Sequence, residues 1–326
     1  MFIQADNYFI LMDVPNANGE LFSAEALRAL RDAGVRTPMM FLNPGDGCEP
    51  ARGQYNWHSI DLYVERALSL GMKVMLPAYT AGPTWAPEHW CASTANGVQR
   101  GLLSPWSEPA QEWLIGHYER MVARYAAYDV AIVDTHLTHG ETLFINEAAW
   151  FGPEAVDSYE KEVGRGARPC KGVDVTESWL KSTYMNIQIA HANVLGYQPA
   201  KLLYTALHPA IADFGGLYGN GNKWYPDLLK TYRIMFPDNQ ILWVLYTFAQ
   251  WSYLYERIKA LRAALGLHVF GGAEYAEGLP STTPAAIAAG IDGQFIGPCH
   301  PFTGHTEIEP WMLDNIEKAR KQWQTK

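Results

Sequence analysis

Two sequence patterns alternate along the 326-residue chain, and this alternation constrains its fold more than any other feature. Short runs of apolar and β-branched residues are typical of strands buried on both faces of a parallel sheet. The longer segments between them carry apolar residues at helical spacing. The predicted strands are 8–12, 35–42, 73–79, 130–137, 201–207, 240–247, 267–274 and 293–298. The predicted helices are 23–33, 59–70, 108–127, 176–195, 225–235, 253–265, 284–289 and 310–322.

Eight strands, each followed by a helix, predict an α/β fold of the closed (β/α)8, or TIM-barrel, type. Helix boundary residues agree with this prediction. Ser23, Ser59 and Ser107 are predicted N-caps, and Gly34, Gly71, Gly196 and Gly266 are predicted left-handed residues after helices. A doubly wound open sheet is the alternative, but it requires a glycine-rich turn after the first strand. Asp13-Val14-Pro15-Asn16 is not such a turn.

The chain lacks low-complexity linkers and blocks of like charge, so residues 1–326 are predicted to form a single catalytic barrel domain. Hydrophobic residues make up 48% of the chain, which excludes a disordered protein. The formal net charge of −9 argues against nucleic acid as a partner. Because no apolar run reaches membrane-spanning length and no secretory signal is visible, we expect a cytoplasmic protein, or a secreted one if a signal was removed.

The four cysteines are far apart in the sequence, at Cys48, Cys91, Cys170 and Cys299. They form no C-x-x-C pair, so neither a zinc ribbon nor a thioredoxin-like motif is indicated. We expect all four to be free, buried thiols.

Active sites of such barrels lie on the loops that follow the carboxyl ends of the strands. The seventh predicted strand ends in Gly271-Gly272-Ala273-Glu274, so that a carboxylate comes directly after two glycines and an alanine. The region after the fourth strand offers two carboxylates, Glu141 and Glu147, and position does not separate them. Two carboxylates across a barrel mouth suit glycosidic bond cleavage, in which one protonates the leaving oxygen and the other attacks or activates water.

Aromatic side chains near the predicted strand ends also favour a sugar substrate. Their rings stack on the apolar face of a pyranose, while imidazole and amide groups hydrogen-bond its hydroxyls. The residues predicted to bind an oligo- or polysaccharide substrate are Trp85, Asn146, His139, His208, Tyr246, Trp251, Tyr275 and His300. No cofactor and no metal is expected in this chemistry.

Three segments resemble the large retaining glycosidase clan of (β/α)8 barrels, and in particular its β-galactosidase-like members. They are the Gly53-x-Tyr55-x-Trp57 turn that leads into a helix, the 67–77 stretch ending in a strand, and Pro83-Thr84-Trp85. The resemblance implies a nucleophile at Glu274, at the end of strand seven, and an acid/base glutamate after strand four. The clan usually places Asn before its acid/base, as in Asn146-Glu147.

The resemblance also implies that Tyr246, on strand six, hydrogen-bonds the nucleophile. Two positions depart from the clan pattern. An Arg is usual near the end of strand two, and 41–44 (Phe-Leu-Asn-Pro) has none; a Trp is usual after strand eight, where 298–301 reads Pro-Cys-His-Pro.

Two other functions remain open at this stage. A metal-dependent hydrolase could use His136, His139, His208 and His300 with Asp134 to bind zinc, although no H-E-x-x-H motif occurs. A barrel without the acid could bind carbohydrate and have no catalytic activity. A transglycosylase would use the same residues as a hydrolase. The long segments 151–176 and 208–223 are predicted to lie on the active face, as lids or walls of subsites.

Overall fold

The computed structural model describes residues 1–13, 20–40, 48–78, 82–94, 97–134, 152–170, 173–207, 221–245, 255–273, 276–297 and 308–325. The strands are β1 Phe9–Asp13, β2 Thr37–Met40, β3 Val74–Ala78, β4 Cys91–Thr94, β5 Gly97–Leu103, β6 Val130–Asp134, β7 Leu202–Leu207, β8 Gln240–Leu245, β9 His268–Ala273 and β10 Gly293–Ile296. The helices are α1 Ala24–Ala33, α2 His58–Ser69, α3 Glu108–Tyr125, α4 Pro153–Val163, α5 Asp174–Leu195, α6 Gly221–Met235, α7 Tyr255–Leu265, α8 Leu279–Ala288 and α9 Pro310–Gln324.

Eight parallel strands form one sheet, in the order β6-β3-β2-β1-β10-β9-β8-β7. The two ends of this order, β6 and β7, have Cα atoms within 8 Å of each other, so the sheet nearly closes on itself. The helices surround it. The predicted (β/α)8 barrel is therefore confirmed, and each predicted strand matches one strand of the ring.

Alternate residues of each strand face opposite sides of the sheet, as the two-residue period of a strand requires. One set fills the barrel lumen and includes Ile10, Met12, Met39, Met75, Ala131, Val133, Tyr204, Ala206, Leu242, Val244, Phe270 and Phe295. The other set packs against the helices and includes Phe9, Leu11, Ile132, Leu203, Ile241, Trp243, Val269 and Ile296. This division gives the barrel two apolar cores and defines which strand positions point inward.

The first residues of the chain cover the amino-terminal end of the barrel. Phe2 and Ile3 are buried in the lumen cluster. The Gln240 side chain accepts a hydrogen bond from the Ile3 backbone N–H (2.8 Å) and donates one to the Ile3 carbonyl (2.9 Å). The same amide nitrogen lies 3.0 Å from His268 Nε2. These contacts occupy the amino end of the lumen.

Two insertions between a barrel strand and the helix that follows it add secondary structure to the eight predicted strand–helix pairs, and each is called an excursion below. Between β3 and α3, a short 3-10 turn at Glu88–Trp90 leads into the antiparallel hairpin of β4 and β5. Between β6 and α5, the segment 151–176 contains α4. Both excursions follow the carboxyl ends of barrel strands, as predicted for 151–176, whereas the hairpin was not predicted.

Helix capping agrees with the sequence at some positions and corrects it at others. The Ser23 hydroxyl accepts from the Ala26 N–H, as predicted. Ser59 is not an N-cap, because Trp57 occupies that position before α2; Ser107 is at the N-cap of α3 but its side chain makes no capping bond. Gly34, Gly71 and Gly266 have positive φ, as predicted.

Gly196 is different. Its φ is −67°, so the prediction of a left-handed residue there was wrong. A Cβ at this position would lie 2.3 Å from the Phe236 ring, so close packing is the reason that glycine is required.

The cysteine prediction is corrected at one position. Cys48 and Cys91 are free and buried, but Cys170 is exposed; Cys299 lies outside the described residues. Burial, followed by the charges of Glu49 and Asp61, raises the pKa of the Cys48 thiol to about 12, so it stays protonated. Within the described residues, the helices are all too short or too polar to cross a bilayer.

Candidate active site at the carboxyl ends of the barrel strands

Most of the predicted site residues lie outside the described part of the chain. These are the predicted catalytic residues Glu274, Glu147 and Glu141, together with Asn146, His139, His208, Tyr246, Trp251, Tyr275 and His300. Trp85 is the predicted site residue that the structure places. The described strand ends and the loop segments beside them form the surroundings of the predicted site.

Trp85 belongs to a tightly packed aromatic group after β3. Its ring meets Trp90 edge-on at 5.6 Å (67°) and Trp113 at 6.1 Å (83°). Its indole N–H donates to the Glu49 carbonyl at 2.9 Å. The Arg52 guanidinium lies over the rings of both Trp85 and Trp90, at 6.0 and 5.7 Å. Trp85 is therefore held rigidly on the carboxyl-end face and remains partly exposed there.

Glu49 fixes the loop that carries this group, and the sequence analysis missed it. Its carboxylate is buried, with 1% of the residue exposed. It accepts hydrogen bonds from the Trp113 indole N–H (2.7 Å) and the Gly53 backbone N–H (2.6 Å). Gly53 has a φ of +77°, a conformation that favours glycine. The Gly53–Trp57 turn is therefore held in place by a buried carboxylate.

A column of stacked rings continues from Trp113 toward the turn. The His117 imidazole lies between Trp113 (5.4 Å, 11°) and Trp57 (5.9 Å, 14°), and Trp57 stacks on Tyr55 at 5.8 Å. Neither His117 nitrogen has a hydrogen-bond partner among the described residues. Burial, then the charge of Arg120, lowers the pKa of His117 to about 3, so the ring is neutral at neutral pH.

Two carboxylates end barrel strands but point outward, into the layer between strands and helices. Asp13, the last residue of β1, accepts from the Phe22 N–H at 3.1 Å and faces Tyr63 of α2. Burial raises the pKa of Asp13 to about 7, although the Tyr63 hydroxyl and the Phe22 N–H act in the opposite direction. Asp13 is 1% exposed.

Asp134 ends β6 in the same way and is 3% exposed. Its Oδ1 accepts from the Tyr118 hydroxyl at 2.9 Å. Its Oδ2 accepts from Gln188 Nε2 at 2.9 Å and lies 2.7 Å from His191 Nδ1. Asp134 was considered above as a zinc ligand, but both of its oxygens face these helix side chains. The described residues hold no group of three or more potential metal-ligating side chains, and His136, His139, His208 and His300 lie outside them.

The excursions after β3 and β6 meet on this face. A methyl group added at Gly152, just before α4, would lie 3.6 Å from the Cβ of Ser93 in β4. Trp106, at the end of the first excursion, stacks on Trp179 of α5 at 4.7 Å, and the Trp179 indole N–H donates to Ser158 of α4. The described parts of the two excursions are thus in contact with each other and with α5.

Several solved structures that match this fold are glycosidases by name. Over 97% of this chain and 98% of the other, the structure matches the catalytic domain of a β-amylase from Paenibacillus polymyxa, with a TM-score of 0.68 and 11% identity. A β-galactosidase from Halorubrum lacusprofundi matches 93% of this chain, with a TM-score of 0.67 and 14% identity. A β-galactosidase from Marinomonas ef1 matches 96%, with a TM-score of 0.64 and 14% identity.

This chain covers 56% and 59% of the two β-galactosidase chains, a little over half of their length. No family model matches the sequence, and no curated protein matches it. At these identities the structural matches establish the barrel fold and nothing finer.

Proposed function

We propose that this chain is a retaining glycoside hydrolase, built as one (β/α)8 catalytic domain, that acts on an oligo- or polysaccharide. Glu274 is its nucleophile, and Glu147 or Glu141 is its acid/base. Three lines support the proposal: the barrel itself, the glycosidases that share it, and the positions of inward-facing residues on β9.

The alternation of residues on β9 is the observation that carries the proposal. Phe270 faces the lumen, and Val269 faces the helices. Gly272 pairs with Phe295, which also faces the lumen. Because strand side chains alternate with a period of two, we infer that Glu274, two positions after Gly272, faces the lumen side. A carboxylate would then follow directly on an otherwise apolar inward-facing series.

We propose that two further predicted site residues lie in this part of the barrel. Val244 on β8 pairs with Phe270, and Ala206 on β7 pairs with Val244; all three face the lumen. Tyr246 and His208 come two positions after Val244 and Ala206 in the sequence, and the proposal places them in the same inward-facing series. In this proposal the Tyr246 hydroxyl hydrogen-bonds the Glu274 nucleophile, as the clan resemblance implies.

The proposed reaction has two steps. The Glu274 carboxylate attacks the anomeric carbon and forms a glycosyl ester, while the bond to the leaving oxygen breaks and that oxygen takes a proton from the acid/base glutamate. The deprotonated glutamate then removes a proton from water. The water oxygen attacks the anomeric carbon, breaks the ester and frees Glu274. No cofactor takes part.

The rigid Trp85 group provides one wall for the sugar in this proposal. Its ring is fixed by a hydrogen bond and by two other indoles, so little side-chain entropy is lost when a pyranose stacks on it. Asn146, His139, His208, Trp251, Tyr275 and His300 are proposed to supply the remaining sugar contacts. The motif resemblance to β-galactosidase-like members of the clan favours a β-galactoside as the substrate.

The test compares two glutamates that lie three residues apart. We expect Glu274→Gln to lower kcat/KM on an aryl glycoside by at least about a thousandfold, because the nucleophile is lost. Glu277 is exposed in the 3-10 turn Ala276–Gly278, so Glu277→Gln is the matched control and should hydrolyse at the wild-type rate. Near-normal activity of Glu274→Gln would overturn the assignment.

Product stereochemistry tests the retaining mechanism independently. Proton NMR of the first-formed product should show the same anomer as the substrate, because two successive displacements restore the configuration. Release of the opposite anomer would instead indicate single displacement by water and would remove the nucleophile role from Glu274.

A further inference from the structure

The carboxylate of Asp134 joins the end of the fourth barrel strand to helices on both sides of it. Tyr118, which donates to Oδ1, belongs to α3, the helix that precedes β6. Gln188 and His191, which contact Oδ2, belong to α5, the helix that follows β6 and its excursion. One buried side chain therefore fixes three elements relative to each other.

The contacts with α5 close a long loop at its base. Gln188 and His191 are 54 and 57 positions from Asp134 along the chain. Residues 135–173 lie between β6 and α5, and this segment carries both candidate acids, Glu141 and Glu147. Asp134 is the residue from which the segment departs, and α5 is the helix to which it returns. The carboxylate thus ties the two ends of this segment together.

The donors around Asp134 are themselves held in place. The Tyr232 hydroxyl of α6 donates to Gln188 Oε1 at 3.0 Å, which orients the amide so that its nitrogen points to Asp134. The Tyr118 ring meets the His191 imidazole edge-on at 5.0 Å. Burial, then the Asp134 charge, raises the pKa of Tyr118 well above its usual value, so this hydroxyl remains a donor at any working pH. These contacts restrain the orientation of the Asp134 carboxylate.

We propose that Asp134 is a positioning residue for catalysis, which sets the place of the acid/base glutamate by fixing the base of the segment that carries it. This inference rests on the proposed function. Asp134 itself faces the helices and does not touch the substrate. Its effect is therefore expected on proton donation to the leaving group, and not on attack by Glu274, which follows a different strand.

Leaving-group dependence separates this role from a general structural one. A glycoside with a 2,4-dinitrophenyl leaving group needs no proton from the enzyme, whereas the methyl glycoside of the same sugar does. The sugar is the one that wild-type enzyme hydrolyses fastest in a panel of aryl glycosides. We expect Asp134→Asn to lower kcat/KM on the methyl glycoside at least about 30-fold more than on the dinitrophenyl glycoside.

Two further variants complete the design. Tyr118→Phe keeps the ring and removes one hydrogen bond to Asp134. It should therefore show the same selective loss of kcat/KM on the methyl glycoside, to a smaller degree. If Asp134→Asn does not fold, Tyr118→Phe is the variant that tests the inference. Asp292→Asn is the matched control. Asp292 also ties a strand to a helix, through the Val269 N–H and Arg262, but at the amino end of β9. The Asp292→Asn variant should be less stable than the wild type, but its kcat/KM should fall by the same factor on both glycosides.

The outcomes distinguish this inference from the proposed function. If wild-type enzyme cleaves none of the glycosides, both are wrong. A second outcome is that wild-type enzyme cleaves them, but Asp134→Asn or Tyr118→Phe lowers kcat/KM equally on the methyl and the dinitrophenyl glycoside, as expected for Asp292→Asn. Asp134 then has a structural role, and only this inference is overturned. A selective loss on the methyl glycoside supports it.

Discussion

The side-chain amide of Gln198 hydrogen-bonds to both backbone groups of Ile132. Its Oε1 accepts from the Ile132 N–H at 2.7 Å, and its Nε2 donates to the Ile132 carbonyl at 2.9 Å and to the Leu202 carbonyl at 2.8 Å. Ile132 lies in β6 and Leu202 begins β7, the two strands at the ends of the sheet order. One buried amide therefore takes the place of a ladder pairing where the barrel nearly closes.

Replacement of Gln198 by Leu should destabilise the barrel strongly. The change leaves one backbone N–H and two carbonyls without their partner in a buried site, at about 1–3 kcal/mol for each unsatisfied group. We expect a loss of about 3 kcal/mol or more in the free energy of unfolding, measured by urea denaturation. The same change at exposed Gln324, Gln324→Leu, is the control and should shift stability by less than about 0.5 kcal/mol. Equal losses of unfolding free energy in Gln198→Leu and Gln324→Leu would show that the Gln198 hydrogen bonds contribute nothing to stability.

Asp13 should make the protein less stable as the pH rises through neutrality. Its pKa is about 7 in the folded chain and 3.8 ordinarily, so between these values the folded state binds more protons than the unfolded state. The stability that protonated Asp13 contributes is complete below pH 3.8 and is lost as the pH passes 7. For this one group, the free energy of unfolding should fall by about 1.4 kcal/mol between pH 6 and pH 8.

Asp13→Asn removes the titration and keeps an oxygen to accept from the Phe22 N–H. Denaturation curves at pH 6 and pH 8 should therefore differ less for the variant than for the wild type, by about the same 1.4 kcal/mol. Parallel pH dependence of the two proteins would contradict the raised pKa.

His117 has the opposite effect and acts at lower pH. Its pKa is about 3 in the folded chain and 6.5 ordinarily, so between these values the unfolded state binds the extra proton. The contribution of His117 to stability is therefore complete above pH 6.5 and decreases as the pH falls. Between pH 6.5 and 4.5 the loss should be about 2 kcal/mol for this one group.

His117→Phe keeps a flat ring between Trp57 and Trp113 without a titratable nitrogen. The difference in unfolding free energy between pH 6.5 and pH 4.5 should be smaller in this variant by about 2 kcal/mol. His117→Gln is a second variant, with a smaller side chain, for the case that the Phe ring does not pack well. Wild-type pH dependence in both variants would show that His117 does not stay neutral.

The sequence predicts the barrel strands well because each is a short apolar run that is buried on both faces. The hairpin of β4 and β5 does not show this pattern, since Cys91–Thr94 is made of small residues and Gly97–Leu103 has two glycines and two polar residues among its seven. A usable signal was present in Asn96-Gly97, a dipeptide that favours tight hairpin turns. Helix α4 was missed because its face toward the core is small, with Ala155 and Tyr159 as its buried residues.

The surroundings of the site are harder to predict from sequence, because they depend on contacts between distant positions. Glu49 bonds to Trp85 through its carbonyl and to Trp113 through its carboxylate, 36 and 64 residues away. The environment of Asp134 is set by residues of two helices in the same way. Local pattern places Asp134 only within the predicted strand 130–137, and both the end of β6 at this residue and the outward direction of its side chain follow from the structure of the barrel.

A metal-dependent mechanism makes a prediction that separates it from the two-carboxylate mechanism. The metal alternative used Asp134 with histidines after strands four, five and eight, but three side chains contact the Asp134 oxygens on the helix side of the sheet. We therefore expect that dialysis against EDTA leaves kcat/KM on an aryl glycoside within about twofold of its starting value. Enzyme treated in parallel with buffer alone is the control. A loss of activity on dialysis that zinc restores would instead assign the reaction to a metal-bound water.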